Sequence, residues 1–206
     1  MRSKIGKFAR DFWNDARGSV SVETVIILPM LLWSATATYV FFDVYKVENT
    51  TYRANYTISD MLSRKKEAID QDYIDGLYTV FKYMTGTTDA NSNMQFSVVQ
   101  CLADCSSEAD RALQLKWSHG VNGSIDLEAE DLPYVAQYLP LFSAGDELIL
   151  VQTFTDYVPP FSKNLTGFGA REMRTDIVTR PRFGPQLKWA TAGGGGTDDP
   201  DIPDGN

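Results

Sequence analysis

The chain reads as an α+β protein in which a long N-terminal transmembrane and amphipathic helix packs on a small antiparallel sheet. Three observations lead there. Val25–Phe42 is an apolar run of about 18 residues, near the lower limit for crossing a bilayer as a helix. A helical period continues beyond it into polar sequence, and four later segments alternate or run apolar at strand length. Helices first and strands after, joined by turns, is the order of an α+β fold rather than of repeating βα units.

The first helix is expected from about Ser19 to Arg64, a rod of ~65–70 Å at 1.5 Å per residue. Ser34, Thr36 and Thr38 dilute its apolar half, where hydroxyls can bond preceding carbonyls, and Pro29 removes one helical hydrogen bond. Past Phe42, Val47, Ala54, Ile58 and Met61 recur at helical spacing, beside a stripe of Tyr45, Tyr52 and Tyr56. Lys46, Glu48, Asn49, Arg53 and Asn55 take the opposite, polar side. A second helix is signalled by Asp70 or Asp72 as cap, by Ile74, Leu77, Tyr78, Phe81 and Met84, and by Gly86 as its stop.

Residues 87–93 are turn-rich, and strands follow. Met94, Phe96 and Val98 alternate with polar neighbours, as do Leu113, Leu115 and Trp117. Leu148-Ile149-Leu150-Val151 is continuously apolar and reads as a central strand; Met173, Thr175, Ile177 and Thr179 form the last, ended by Pro181. A short helix around Asp131 to Tyr138 connects the second strand to the third. The loop Pro159 to Gly169 is long enough to be functional or mobile. Arg180-Pro181-Arg182-Phe183-Gly184-Pro185-Gln186-Leu187-Lys188-Trp189 reads as the close of the ordered domain. Gly193 to Gly196 and Asp198, Asp199, Asp201 and Asp204 then read as a disordered tail, 191–206.

Charge sets orientation. Arg2, Lys4, Lys7, Arg10 and Arg17 against Asp11 and Asp15 give residues 1–18 a net of +3, so the remainder of a chain of −8 carries −11. Cations beside an anchor stay cytoplasmic, which puts the N-terminus inside and the acidic body, 43–190, outside. A body this acidic argues against nucleic acid, whose phosphates need a basic stripe. A cleaved secretory signal is the rival reading, but no Ala-x-Ala-like site with a polar loop ends the apolar run, and the sequence continues as helix.

Cys101 and Cys105 are nowhere near a second ligand pair, and with His119 the lone histidine they make a poor zinc site, since a structural site wants four N or S ligands. In an oxidising compartment one disulfide closing a tight loop is the ordinary expectation, with two buried free thiols as the alternative. No catalytic constellation stands out and no cofactor is expected. His119 beside Gly120 reads as a turn residue, and Glu128, Glu130 and Asp131 as a solvated loop or helix start. Asn122-Gly123-Ser124 is one of four matches to the glycosylation acceptor pattern, which would normally carry no meaning in a bacterial exported protein of the kind the basic leader suggests.

The most specific sequence lies at the junction of leader and apolar run. In Arg17-Gly18-Ser19-Val20-Ser21-Val22-Glu23 a carboxylate enters the membrane-length segment five residues after a glycine. Lipid disfavours an ionised carboxylate by roughly 2.5–3.5 kcal/mol on insertion scales, less near the interface, so an intramembrane Glu usually has a partner. A Glu near a helix N-terminus also complements the macrodipole, worth about 0.3–1 kcal/mol without any processing. Cutting after Gly18 would give Ser19 a new positive amine and make Glu23 the fifth residue of the product. That arrangement resembles the processing site of type IV prepilins. With Phe12-Trp13-Asn14-Asp15-Ala16 before it and Leu28-Pro29 after it, the string resembles the TadE-like family of tight-adherence (Flp) pilus assembly proteins.

The resemblance implies a pilin-like fold with a transmembrane helix at 19–42, and a minor pseudopilin of TadE or TadF type in a bacterial inner membrane, its C-terminal domain periplasmic. It implies as partners a prepilin peptidase cutting between Gly18 and Ser19, other pilin and pseudopilin subunits, the inner-membrane assembly platform and the lipid bilayer. Glu23 would pair with the Ser19 amine of a neighbouring subunit. The Asp-x-Ser-x-Ser motif of the TadG-like type does not occur. A single-pass anchored binding or adhesion module, using chiefly the loop at 159–169, is the alternative, and an anchored enzyme a distant third.

Overall fold

The computed structural model describes residues 17–108, 110–184 and 186–190; most of the basic leader and the whole tail expected at 191–206 lie outside the described residues. The chain divides into two compact units. Among the described residues, one comprises those up to Tyr45 with Val158–Ala170, the other those of Lys46–Tyr157 and from Arg171 to Ala190.

Helix α1, Arg17–Ser63, begins in the first unit and continues into the second. In the first unit its apolar side chains are mostly exposed, with Val25, Ile26 and Met30 near 70%. The helix is long and apolar enough to cross a membrane, the single such helix among the described residues. Pro29 sits inside it without ending it. Thr36 Oγ1 donates to Leu32 O at 2.8 Å, the back-bond that makes a hydroxyl tolerable in an apolar helix.

The second unit is an α+β domain built on four antiparallel strands. These are β1 (Ser92–Ala103), β2 (Ala112–Val121), β3 (Glu147–Tyr157) and β4 (Arg171–Thr179), in the order β2-β1-β3-β4. Phe96 lies opposite Val151, and Val151 opposite Ile177. The continuously apolar Leu148–Val151 belongs to β3, which is flanked by β1 and β4 and has both faces covered. Met94, Phe96, Val98, Ile149 and Val151 pack on Ala54, Ile58 and Leu62 of α1 and on Ile74, Leu77, Tyr78 and Phe81 of helix α2 (Gln71–Thr85). Residues of opposite parity, Val99, Cys101, Leu148 and Leu150, meet Leu132, Val135, Leu139 and Phe142 in a second cluster.

Helix α2 is bounded as its sequence signals require. The Asp70 carboxylate accepts the Tyr73 N–H at 2.9 Å, and Gly86, at φ 72°, closes the helix in the left-handed conformation that glycine adopts without a Cβ penalty. Between β2 and β3, a 3-10 turn at Ala129–Asp131 leads into the short helix α3, Leu132–Ala136. Arg111 holds this end by donating to the carbonyls of Ala136, Leu139 and Pro140.

The face that α1 turns to the sheet differs from the expected one. Asn55, placed by its polarity on the outer side, is fully buried, whereas Met61, expected in the apolar stripe, is 37% exposed. Thr51, Asn55, Ser59 and Ser63, spaced at four residues, form a buried polar stripe beside Ala54, Ile58 and Leu62. Thr153 Oγ1 donates to Asn55 Oδ1 at 2.7 Å, while Asn55 Nδ2, Ser59 Oγ and Thr155 Oγ1 are buried without a hydrogen-bond partner.

The C-terminal segment closes the domain. Ile69 N–H donates to Lys188 O and Ala190 N–H to Ile69 O, both at 2.8 Å, around a parallel bridge between Ile69 and Trp189. Trp117 Nε1–H donates to Leu187 O at 2.6 Å, the buried Glu147 carboxylate accepts the Leu187 N–H at 3.0 Å, and Arg182 N–H donates to Ser63 O at the end of α1.

Candidate functional site

Arg17, Gly18 and Ser19 lie within the first turn of α1 as it is described, and their backbone is helical. Glu23 follows in the same helix and is exposed. Positions 19 and 23 are four apart, and residues at that spacing are neighbours on one helix face. A charge on the backbone nitrogen of residue 19 would therefore sit about one turn from the Glu23 carboxylate, some 6 Å along the axis.

The same unit contains the segment Val158–Ala170, which joins β3 to β4 in sequence and was expected to be an irregular loop. It carries a single short helical turn, α4, Lys163–Thr166, and packs on the apolar part of α1. Trp33 Nε1–H donates to Leu165 O at 2.7 Å, and Phe161 meets the Tyr39 ring edge-on with centroids 5.9 Å apart. A shallow cleft of about 330 Å³ between them is lined by Ala35, Thr36, Tyr39, Pro160 and Phe161. Val158, Phe161, Leu165 and Phe168 remain exposed. No sequence signal ties Trp33 to a segment 132 residues away, because the bond is made by a backbone carbonyl.

In the second unit a disulfide joins Cys101 and Cys105, with Cα atoms 6.0 Å apart. The turn between them includes Asp104 at φ 52°, and it borders a cleft of about 590 Å³ with Phe142 and Arg180. His119 is not a turn residue. It lies in β2, opposite Phe96, and the turn falls instead at Asn122-Gly123, with φ of 57° and 81°. An Asn-Gly pair, whose residues accept positive φ, is the signal that locates it. The Asn122 side chain donates to Asp89 O and Ser92 O at 2.6 and 2.7 Å, a structural role unrelated to an acceptor motif.

His119 stacks on Trp189 with centroids 3.5 Å apart, and its Nδ1 is 3.9 Å from Asp126. Burial pushes its imidazole below the ordinary value of 6.5, opposed by the Asp126 carboxylate. Its surroundings are aromatic packing rather than a nucleophile or ligand set. Among the described residues no group of three or more His, Cys, Asp or Glu side chains is placed to hold a metal ion. Comparison with protein-family models, with curated proteins and with solved structures finds no match to this chain.

Proposed function

We propose that this protein is a membrane-anchored minor pseudopilin that acts in assembly of a tight-adherence type IV pilus after a prepilin peptidase cuts between Gly18 and Ser19. The observation that carries the reading is the position of Glu23, an exposed carboxylate five residues after Gly18 near the start of a helix apolar enough to cross a membrane. A carboxylate there is costly in lipid unless it acquires a positive partner, and processing supplies one. Cleavage at Gly18 would remove a leader of net +3 and leave an amine at residue 19, on the same helix face as Glu23. In an assembled bundle that amine would pair with Glu23 of a neighbouring subunit. A buried ion pair of this kind fixes register more surely than it adds net stability.

The α+β domain supports the reading through its order of elements, a helix continuing from an apolar segment onto an antiparallel sheet, which is how a pilin-like subunit would present a folded body beyond the membrane. The proposal places the N-terminus in the cytoplasm and the acidic domain in the periplasm. The test is the mass of the intact chain extracted from membranes of cells with an active peptidase. The expected product begins at Ser19, and Gly18→Val is expected to remain full length, because a branched side chain would occupy the space a small residue leaves. An unprocessed wild-type chain, or normal maturation of Gly18→Val, would refute the processing step.

A further inference from the structure

We infer that the segment Val158–Ala170 is a second membrane contact, lying in the outer leaflet's interfacial layer beside α1 with its apolar side chains turned into lipid. The inference rests on the anchor half of the proposed function. Its basis is that this segment is fastened to the apolar part of α1 within one compact unit, by the Trp33 to Leu165 hydrogen bond and the Tyr39–Phe161 ring contact. Wherever the helix enters lipid, this segment accompanies it.

The depth follows from helix rise. Trp33 lies nine residues before Phe42, about 13 Å at 1.5 Å per residue. If the hydrocarbon reached Phe42, an irregular loop would lie about that far inside, where lipid-exposed non-helical backbone is not tolerated. If the hydrocarbon ended at Trp33, Ser19–Trp33 would span only about 22 Å of a layer roughly 30 Å thick. A segment sunk about 5–10 Å into the headgroup and acyl boundary, as interfacial elements are, closes that gap. The outer boundary of the hydrocarbon then falls between Thr36 and Val40, short of Phe42.

Chemistry fits the same layer. Val158, Phe161, Leu165 and Phe168 are exposed at 72, 39, 47 and 39%, an apolar set on one short stretch. The stretch carries Lys163 as its single charged residue and no carboxylate, in a chain with 27 Asp and Glu. A lysine can bury its stem among acyl chains and hold its ammonium among lipid phosphates. Four of the segment's eleven backbone N–H groups have partners within it. Leu165 and Thr166 N–H groups donate to Ser162 O, Gly167 N–H to Lys163 O and Phe168 N–H to Thr166 Oγ1, while Pro159 and Pro160 have no N–H to satisfy. Backbone satisfied only in part is barred from the hydrocarbon core but can be met by water and headgroups in the interfacial layer, which is where the helix rise places it.

The test uses the full chain, with its disulfide intact, in vesicles of phosphatidylethanolamine and phosphatidylglycerol. An environment-sensitive fluorophore is attached in separate variants at Leu165→Cys, Val158→Cys and, within the helix, Ile26→Cys. Each is challenged with aqueous iodide, with lipid bearing a nitroxide near the glycerol backbone, and with lipid bearing it deep in the acyl chain. The expected result is quenching at residues 158 and 165 chiefly by the shallow nitroxide, at residue 26 by the deep one, and protection of all three from iodide. Lipid quenching at residue 26 with iodide quenching at residues 158 and 165 would overturn the inference and leave the anchor standing. Iodide quenching at residue 26 would overturn the anchor itself, and the inference with it.

Discussion

The polar stripe that α1 lays against the sheet makes an unusual stability prediction. Thr153 and Asn55 are both fully buried and joined by one hydrogen bond of 2.7 Å, while the amide N–H₂ of Asn55 has no partner. Thr153→Val preserves shape but removes the donor, leaving the whole Asn55 amide unpaired. Orphaning a buried polar group costs about 1–3 kcal/mol. For a chain of this size, about 2 kcal/mol corresponds to a fall of ~4–8 °C in Tm. Asn55→Leu, of similar shape, orphans the Thr153 hydroxyl but removes the unpartnered amide, two effects of similar size and opposite sign, so its Tm should stay near that of the parent. The double variant replaces both partners by apolar groups of the same shape, which is neutral or stabilising. It should therefore recover all of the Thr153→Val loss, although it carries one more substitution. Thermal unfolding of the four full-length proteins in one detergent, followed by near-ultraviolet circular dichroism, measures the cycle. A Thr153→Val protein as stable as the parent, or a double variant less stable than Thr153→Val, would refute the reasoning.

Glu23→Gln is expected to insert and be cleaved yet fail to support pili in complementation, because the new amine would face a neutral amide where an unpaired charge is expensive, with Glu23→Asp intermediate; normal pilus abundance with Glu23→Gln would refute the assembly role. Gly120→Ala should destabilise the second unit by about 1–3 kcal/mol in denaturant titrations, since an added Cβ would lie 2.1 Å from the backbone oxygen of Ser124, and an unchanged midpoint would show that this close approach relaxes freely. The folded-state pKa of His119 lies below its unfolded value, so its contribution is present above about pH 6.5 and is lost as pH falls through the lower, folded value. His119→Phe should accordingly show a smaller loss of Tm than the parent between pH 7 and pH 5, and parallel curves would remove His119 from the pH response.

Local signals were legible in the residues and long-range ones were not. The cap at Asp70, the stop at Gly86 and the period of Ile74, Leu77 and Phe81 are each satisfied by neighbours within one helix, so pattern alone finds them. The same holds for the alternation of Met94, Phe96 and Val98, and for the apolar run that makes β3 central. Asn55 was misplaced because polarity is only a proxy for exposure, and its burial depends on Thr153, almost a hundred residues away. His119 was misplaced because glycine at Gly120 suggested a turn, whereas the glycine is there to admit the Ser124 backbone and β2 runs on to Val121. A role for the junction in processing is a proposal, but that Gly18 and Glu23 share one helix was legible because it needs only local periodicity. The attachment of residues 158–170 to Trp33 was not, because a carbonyl oxygen has no letter in a sequence.

The closure made by residues 180–190 also sets when the domain's contacts are complete. Ile69, Trp117 and the end of α1 all find partners in this last stretch, so the contacts of these earlier residues are completed only when it arrives. If the N-terminal helix is held in a membrane and the body is threaded across behind it, these contacts form only after the last stretch has emerged. A chain stalled or truncated near Thr179 would present the Trp117 indole and the Ile69 backbone without the partners that residues 187–190 supply, a species open to aggregation or proteolysis. The last stretch thereby acts as a clasp: the four strands can pair through Thr179, but the packing of Trp117 and Ile69 is finished only by residues 187–190.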